Sequence, residues 1–488
     1  VRPVLSVAEA RAADAAALVG HDPDLLVARA GAALARAVRR VLGGTYGRRV
    51  VVVAGRGHNG DDGRVAAQRL ARAGVRVQLV SAPEGRVPLA LADADADAVV
   101  DAAYGTGFHG EYVAPRVPER AVVVACDVPS GVDADSGAAG PLSCVADVTV
   151  TFAALKPGLL QGEGRRRAGR VEVADIGVAT GSARAFLVED ADLSLVPSRD
   201  AAAHKWSAAV ALVAGSPGML GAAELAAAGA ARAGAGMVRL AVPGLAADRL
   251  PASTAVASAL PGEGWTAGAL AAAERCAVVA IGPGLGRAPE TQSEVRMVLE
   301  RAPQTAVVDA DGLVALGNGS QLRSVVAGRS APTILTPHDG EFARLAGAPP
   351  GADRLRAARA LARESGAIVL LKGPTTAVAA PDGEARLVLA GGPELATAGS
   401  GDVLTGIIAA LVARGVAPLD AAALGAHLHG RAGASGLGEG LVASDLPVLV
   451  ARLRHAKDAA GAKRQDRRAS PSTSSQLRGS EGVGGDGS

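Results

Sequence analysis

Short unbroken apolar runs alternate with glycine-rich polar loops along most of the chain. Ser6-Val7-Ala8-Glu9 reads as a capping box opening a helix, and a second helix is predicted over about 25–42. Arg49–Ala54, RVVVVA, is apolar at nearly every position and bounded by glycine, the pattern of a strand covered on both faces. Further strands are predicted at 75–80, 98–101, 121–126 and 148–152. After a weak stretch over 179–200 the rhythm resumes, with strands predicted at 210–214, 278–281, 306–309, 333–335 and 368–371. Strand, glycine-rich loop and helix in repetition predict doubly wound α/β architecture with ligand loops at the strands' carboxyl ends. The break divides the chain into expected domains 1–196 and 197–456, each too large to be a fragment of the other's core. The remaining 457–488 is rich in Gly, Ser and Arg with almost no large apolar residue, and is expected to be a disordered tail.

Composition narrows the function. Hydrophobic residues are 49% of the 488, enough for real cores, but aromatics are only 2%, so Ala, Val and Leu must build them. Stacking platforms for single-stranded nucleic acid are therefore not expected, and a net charge of +2 points to no polyanion. Cys126, Cys144 and Cys276 are widely spaced and form no C-x-x-C, which argues for a reducing compartment without structural zinc. His427 and His429, two apart on a predicted helix, face different ways and make a poor ligand pair. No apolar h-region opens the sequence and no window reaches eighteen uncharged apolar residues, so a soluble cytoplasmic protein is expected.

The chemistry gathers in the loops. Near the end, Ala398-Gly399-Ser400-Gly401-Asp402 runs into Val403, Leu404, Ile407, Ile408 and Leu411 at helical spacing. Asp402 should thus lie in a helix's first turn, with the N–H groups of Ser400 to Val403 open to an anion. A carboxylate beside an anion hole suits removal of a proton from a hydroxyl attacking a phosphoryl group; alone, the same motif is an ordinary N-cap. In the first half, Gly55-Arg56-Gly57-His58-Asn59-Gly60-Asp61-Asp62-Gly63 follows a strand, but its acidic pair opposes a pyrophosphate. Its Asn and Asp oxygens suit polar ligand groups or a cation. Similar loops follow at Tyr104-Gly105-Thr106-Gly107-Phe108-His109-Gly110 and Asp127-Val128-Pro129-Ser130-Gly131. Arg165-Arg166-Arg167 reads as a solvated turn in a hairpin. Asp309 and Asp311 read as helix caps, and Trp206 and Phe342 as packing.

Together these residues resemble a known pair of domains. Pro217-Gly218 through Ala222-Ala223, GPGLG at 282–286, TPHxGE at 336–341, KGPTT at 372–376 and GSGDVL at 399–404 resemble the ADP-dependent NAD(P)H-hydrate dehydratases of the ribokinase-like superfamily. GxxNGxDG at 57–63, DAAYGTGFxG at 101–110 and DVPSGVDADSG at 127–137 resemble the NAD(P)H-hydrate epimerases. The resemblance covers almost everything but the tail. It implies an N-terminal Rossmann-like three-layer α/β domain and a C-terminal ribokinase-like α/β domain. It implies repair of hydrated NADH and NADPH: epimerisation of the R and S hydrates, then ADP-dependent dehydration of the S form with release of AMP and phosphate.

Roles follow from the resemblance residue by residue. Asp402 would take the hydroxyl proton, Lys372, Gly373, Pro374, Thr375, Thr376 and Gly401 would hold the nucleotide, and Ala222, Gly284 and His338 would line the hydrate's site. In the first half, substrate would lie along His58, Asn59, Gly60, Asp61 and Asp62 and along Gly105, Thr106, Gly107, Phe108, His109, Gly110 and Glu111. Asp127 would be its acid/base, placed after a buried strand where desolvation disfavours the charged form. Asn59, Asp101 and Ser130 would hold K+, and ADP would carry Mg2+ without a dedicated ligand cluster. The implied partners are the small molecules NADHX, NADPHX and ADP, with neither nucleic acid nor membrane, and a homo-oligomer is left open. The usual first loop is close to GNNGGDG, so His58 stands for Asn and Asp61 for Gly, a change expected to restrict the backbone or crowd an anionic substrate. Two other readings remain: a small-molecule kinase of the vitamin-precursor type, releasing a stable phosphoester, and a non-enzymatic sensing module in the first half.

Overall fold

The computed structural model describes residues 1–19, 22–82, 91 and 95–455; the expected tail at 457–488 lies outside them. The strands of the first half are β1 (Arg2–Val4), β2 (Arg49–Ala54), β3 (Arg76–Ser81), β4 (Ala98–Ala102), β5 (Val122–Cys126), β6 (Val148–Phe152) and β7 (Arg170–Ala174), followed by β8 (Ala185–Leu187). Six of them form one parallel sheet in the order β3-β2-β4-β5-β6-β7. β2, β4 and β5 are valine-rich and buried on both faces, under the helices Pro23–Leu42 and His58–Arg72 on one side and under loop residues such as Tyr112, Val117 and Cys144 on the other, the reason their runs do not alternate. β3, at the edge, is largely exposed. The strand order reverses between β2 and β4, which opens a crevice at their carboxyl ends.

The second half adds β9 (Ala209–Val213), β10 (Met237–Pro243), β11 (Val256–Leu260), β12 (Val278–Ile281), β13 (Thr305–Val308), β14 (Thr333–Leu335), β15 (Ile368–Leu371), β16 (Thr376–Ala379) and β17 (Ala385–Val388). From β11 to β15 the pairing is parallel in the order β11-β10-β9-β12-β13-β14-β15, reversing between β9 and β12. β16 and β17 add antiparallel strands. On one face the helices Leu220–Ala233 and Ser400–Ala413 pack backbone to backbone: a Cβ on Gly406 would stand 2.0 Å from the Ala226 carbonyl oxygen.

The second sheet does not stop at β17. β8 pairs parallel with β17 and β1 pairs antiparallel with β8, so the very start of the chain closes the far sheet. The stretch expected to be a linker over 179–200 therefore holds an interior strand and the short helix Asp190–Leu195, and the expected boundary after Val196 falls inside the second unit. Val188 and Val196 join one of its apolar cores, and Val4, Leu155, Leu160, Ala185 and Leu187 join the other. Full burial of each large apolar side chain is worth roughly 1.5–3 kcal/mol. A fragment beginning at Pro197 loses all of these and bares the edge of β17, so it is expected to aggregate or melt far below the intact chain. A soluble fragment with the intact chain's melting temperature, read by calorimetry, would show that the shared strands contribute little.

Candidate active sites

The first site is a cavity of about 910 Å³ at the crevice beyond β2 and β4. His58, Asn59, Asp61 and Asp62 line it from the first turn of the helix His58–Arg72, and Gly105, Thr106, Gly107 and Phe108 line it from the loop after β4. Gly60 lies beneath, where a Cβ would stand 2.0 Å from the Gly55 carbonyl oxygen. His109, Gly110 and Glu111 continue the loop on the exposed surface, outside the cavity lining. Tyr104, Phe108 and Tyr112 cluster on this loop with ring centroids 5.2 to 6.5 Å apart. Tyr104 and Phe108 line the cavity, and buried Tyr112 packs behind them.

Asp127 reaches the cavity from the end of β5 with φ at +63°. Burial is as expected, but the carboxylate is not alone. Lys156 Nζ donates to its Oδ1 at 2.8 Å and Thr151 Oγ1 donates to the same oxygen at 2.9 Å. Lys156 is itself buried and also donates to Thr151 Oγ1 and the Phe152 carbonyl, both at 2.9 Å. Asp62, also buried, is pushed up to about 8 by desolvation first and then by Asp127, Asp61 and Asp14. A desolvated carboxyl and a lysine-paired one thus share one cavity. Lys156 was legible only as a polar residue after a strand, and Asp14, which lines the cavity from the helix Val7–Ala17, carried no signal in its alanine-rich surroundings.

Asp61 does not strain its loop. It stands in a helical turn, where the replaced glycine needs no positive φ, and its carboxylate accepts from Arg64 Nη1 at 2.9 Å while Arg64 Nη2 donates to the Gly55 carbonyl at 2.7 Å. The expected backbone restriction is therefore absent. Asp101 is buried, accepting from Ser130 N at 2.8 Å and Ser130 Oγ at 2.7 Å, and burial pushes its carboxyl up. Asn59 sits against Gly105, and its Nδ2 is buried without a hydrogen-bond partner.

The second site assembles at the carboxyl ends of β9, β12, β13, β14 and β15. Asp402 lies in the first turn of Ser400–Ala413, behind Gly399 at φ +88°. Ser400 N donates to the Thr397 carbonyl and Val403 N to the Gly399 carbonyl, so the open amides narrow to Gly401 and Asp402. Desolvation first, and then the charge of Asp309, pushes Asp402 up to about 7, with Lys372 opposing. Lys372 Nζ donates to Asp309 Oδ1 at 2.9 Å and lies 3.8 Å from Glu341 Oε2. A Cβ on Gly401 would stand 3.4 Å from Lys372 Nζ and 3.7 Å from Asp309 Oδ2, which fixes the cluster's closeness. Burial alone would raise Asp309, but Lys372 and the Thr405 hydroxyl, donating at 2.6 Å, hold it below the usual carboxylate range.

Asp309 is thus the ionised anchor of Lys372 and not a helix cap; Asp311 ties the 282–286 loop instead, accepting from Gly286 N at 2.9 Å and Arg287 Nε at 2.8 Å. Two aspartates closing an apolar run were the available signal for both. His429 is buried and pushed down to about 4 by desolvation, and its Nε2 meets Ser400 Oγ at 3.1 Å beneath Asp402's turn. The two histidines do face apart, His427 toward Asp190 at 2.8 Å. Ala222 and Gly284 come together: a Cβ on Gly284 would stand 3.0 Å from that of Ala222. His338 is exposed and caps the helix Asp339–Ala346 through Nδ1, which accepts from Gly340 N at 3.0 Å, and its Nε2 lies 3.6 Å from Glu341 Oε1. Of the 372–376 loop, Lys372 belongs to this cluster, Gly373 packs against the Arg354 guanidinium, and Thr375 is buried with its hydroxyl donated to the Leu160 carbonyl at 2.6 Å. That hydroxyl is therefore not offered to a ligand. Arg165 is no solvated turn either; it stands on the short helix Gly162–Arg167 and bonds across to Pro374.

Similarity to known proteins follows the same two halves. The NAD(P)H-hydrate dehydratase family model matches residues 210–453. The model described as YjeF-related protein N-terminus matches residues 23–95 and 81–158. A bifunctional NAD(P)H-hydrate repair enzyme of Moorella thermoacetica is 41% identical over 454 residues, covering 81% of this chain and 84% of its own. One of Mycobacterium tuberculosis is 39% identical over 453 residues, covering 87% and 92%. A solved ADP/ATP-dependent NAD(P)H-hydrate dehydratase from Bacillus subtilis is 30% identical, covering 55% of this chain and 98% of its own with a TM-score of 0.47. No helix among the described residues is long and apolar enough to cross a membrane. With both halves matched and the relatives aligned across the join, the chain belongs to the family of bifunctional NAD(P)H-hydrate repair enzymes.

Proposed function

We infer that this chain returns hydrated NADH and NADPH to use by two successive reactions. The first half interconverts the R and S hydrates. The second transfers the β-phosphoryl group of ADP to the hydroxyl of the S hydrate, releasing AMP, and then expels phosphate to restore the dihydronicotinamide. The observation that carries this reading is Asp402: a carboxyl poised near neutral pH, one turn into a helix whose amides at Gly401 and Asp402 are open, beside an ionised Asp309–Lys372 pair. Such a group takes the hydroxyl proton as the oxygen attacks phosphorus, and the amides and Lys372 meet the charge that develops. In the first half Asp127, with Lys156, and the protonated Asp62 supply base and acid on one cavity.

Mg2+ would arrive on the nucleotide's phosphates. Its contribution is to neutralise phosphate charge. For K+, the buried Asp101 carboxylate, which makes no ion pair among the described residues, the Ser130 hydroxyl oxygen and the Asn59 side-chain carbonyl would supply the oxygens a hard cation takes, while the unpartnered Asn59 Nδ2 is a donor and would face away from it. We place the protein in the cytoplasm, where its three free cysteines stay reduced.

Full-length protein given a mixture of hydrated NADH epimers should restore NADH absorbance with ADP, producing AMP and inorganic phosphate in equal amounts. ATP in place of ADP tests the nucleotide preference. A stable phosphoester in place of free phosphate would instead mark a small-molecule kinase.

A further inference from the structure

Arg165 belongs to the first half and lies between the two matched segments, at a position neither family model reaches. Its guanidinium nevertheless serves the second half. Nη1 donates to the Pro374 carbonyl at 2.5 Å and to Thr375 Oγ1 at 3.2 Å, and Nη2 donates to the Leu389 carbonyl at 3.2 Å. From the same segment the Leu160 carbonyl accepts the Thr375 hydroxyl at 2.6 Å. Fully buried Gln161 braces the joint, donating Nε2 to the Asp135 carbonyl at 2.8 Å and to Asp353 Oδ1 at 3.2 Å and accepting from Leu355 N at 3.3 Å. Among the described residues Arg165 makes no ion pair with a carboxylate, so its charge is answered by carbonyl dipoles of the loop.

From inside the second half a second guanidinium does the complementary work. Arg354 donates Nη2 to the Lys372 carbonyl at 2.6 Å and Nε to the Thr375 carbonyl at 3.2 Å, and is itself held by Asp339 at 2.8 and 3.1 Å. A peptide group is planar and trans, so its N–H points opposite to its C=O. With the Lys372 and Pro374 carbonyls drawn to the two arginines, the amides of Gly373 and Thr375 are turned the other way. A loop of outward amides next to Lys372 is what a diphosphate needs.

We propose that Arg165 is a positioning residue for nucleotide binding, reaching from the epimerase half to hold the 372–376 loop of the dehydratase half in its phosphate-binding form. The proposal rests on the second half being the ADP site. It makes the nucleotide affinity of one half a property of the fused chain.

Full-length Arg165→Ala and Arg165→Lys test it, with the wild type alongside. Hydrogen bonds from a charged donor are worth enough that Arg165→Ala should raise both the KM for ADP and the calorimetric Kd for ADP roughly tenfold. The turnover number should stay within about twofold, as for a group that acts equally on ground and transition states. The KM for the hydrate and the rate of R-to-S epimerisation should not move. Lysine keeps the charge but lacks the fork that spans Pro374 and Leu389, so Arg165→Lys should recover only part of the affinity. An ADP affinity within about twofold of wild type in Arg165→Ala would overturn the proposal, as would a loss that falls on turnover alone. A variant that loses epimerisation and melts early also overturns it if Arg165→Lys, folded, binds ADP as the wild type does. Wild-type protein that binds ADP but restores no NADH would refute the repair reading while leaving the ADP-binding comparison intact.

Discussion

Asp402→Asn is expected to cut dehydration by roughly a hundredfold to ten-thousandfold, the usual cost of removing a general base, with ADP still bound. Asparagine keeps the volume and occupies the same helical turn but cannot accept the proton. The environment of Asp402 supplies a second readout with the opposite sign. Its carboxyl titrates at about 7 in the folded chain and near 3.8 as a free side chain. Between those values the folded state binds more protons than the unfolded one, so stability from this group is full below about pH 4 and is lost as pH rises through about 7. Asparagine is neutral throughout. The variant should therefore melt higher than wild type at about pH 8, with the gap shrinking toward about pH 5. Wild-type turnover should rise with pH through about 7 as Asp402 ionises, a limb the variant lacks. A variant with wild-type turnover would reduce Asp402 to a residue of the helix's first turn and nothing more. Lower turnover together with lower stability at every pH would mean damage to the turn itself.

The placement of Asp402 was legible because it depends on short-range facts: glycines that bar a strand, and apolar residues at helical spacing behind them. The doubly wound order was legible for the same reason, since each strand, loop and helix signals itself locally. What escaped depends on partners distant in sequence. β1 and β8 are each three residues long; β8 becomes a strand because β17 offers an open edge, and β1 because β8 then offers another. Thr375 reads as a phosphate-loop hydroxyl until the Leu160 carbonyl, far away in the chain, accepts its hydrogen bond. Asp309 reads as a cap until Lys372 and Thr405 arrive from other elements. Lys156 reads as a loop lysine until the left-handed turn at Asp127 brings the two together. Charge pairing of this kind leaves no periodic trace in a sequence.

Asp127→Asn should split the consumption of mixed hydrates into two phases. Wild-type protein with ADP should clear R and S forms in a near-single phase, because epimerisation keeps feeding the second site. In the variant the S hydrate should vanish at the wild-type rate, and the R hydrate should linger at the slow rate of its spontaneous epimerisation. The loss at the first site should be about a hundredfold or more if Asp127 moves the proton. Asparagine is the mildest available change there. It tolerates the φ of +63° better than other non-glycine residues, and Lys156 keeps Thr151 Oγ1 and the Phe152 carbonyl as acceptors. The second site, built on another sheet, should be untouched, so an unchanged S-hydrate rate serves as the internal control for folding. A monophasic variant would remove Asp127 from the chemistry and move attention to Asp62, the other buried carboxyl of the cavity. The departures at His58 and Asp61 bear on the same measurement. Because Asp61 pairs with Arg64 in an unstrained helical turn, the wild type itself should be monophasic. A biphasic wild type made monophasic by His58→Asn with Asp61→Gly would show instead that those two side chains have cost this chain its epimerase.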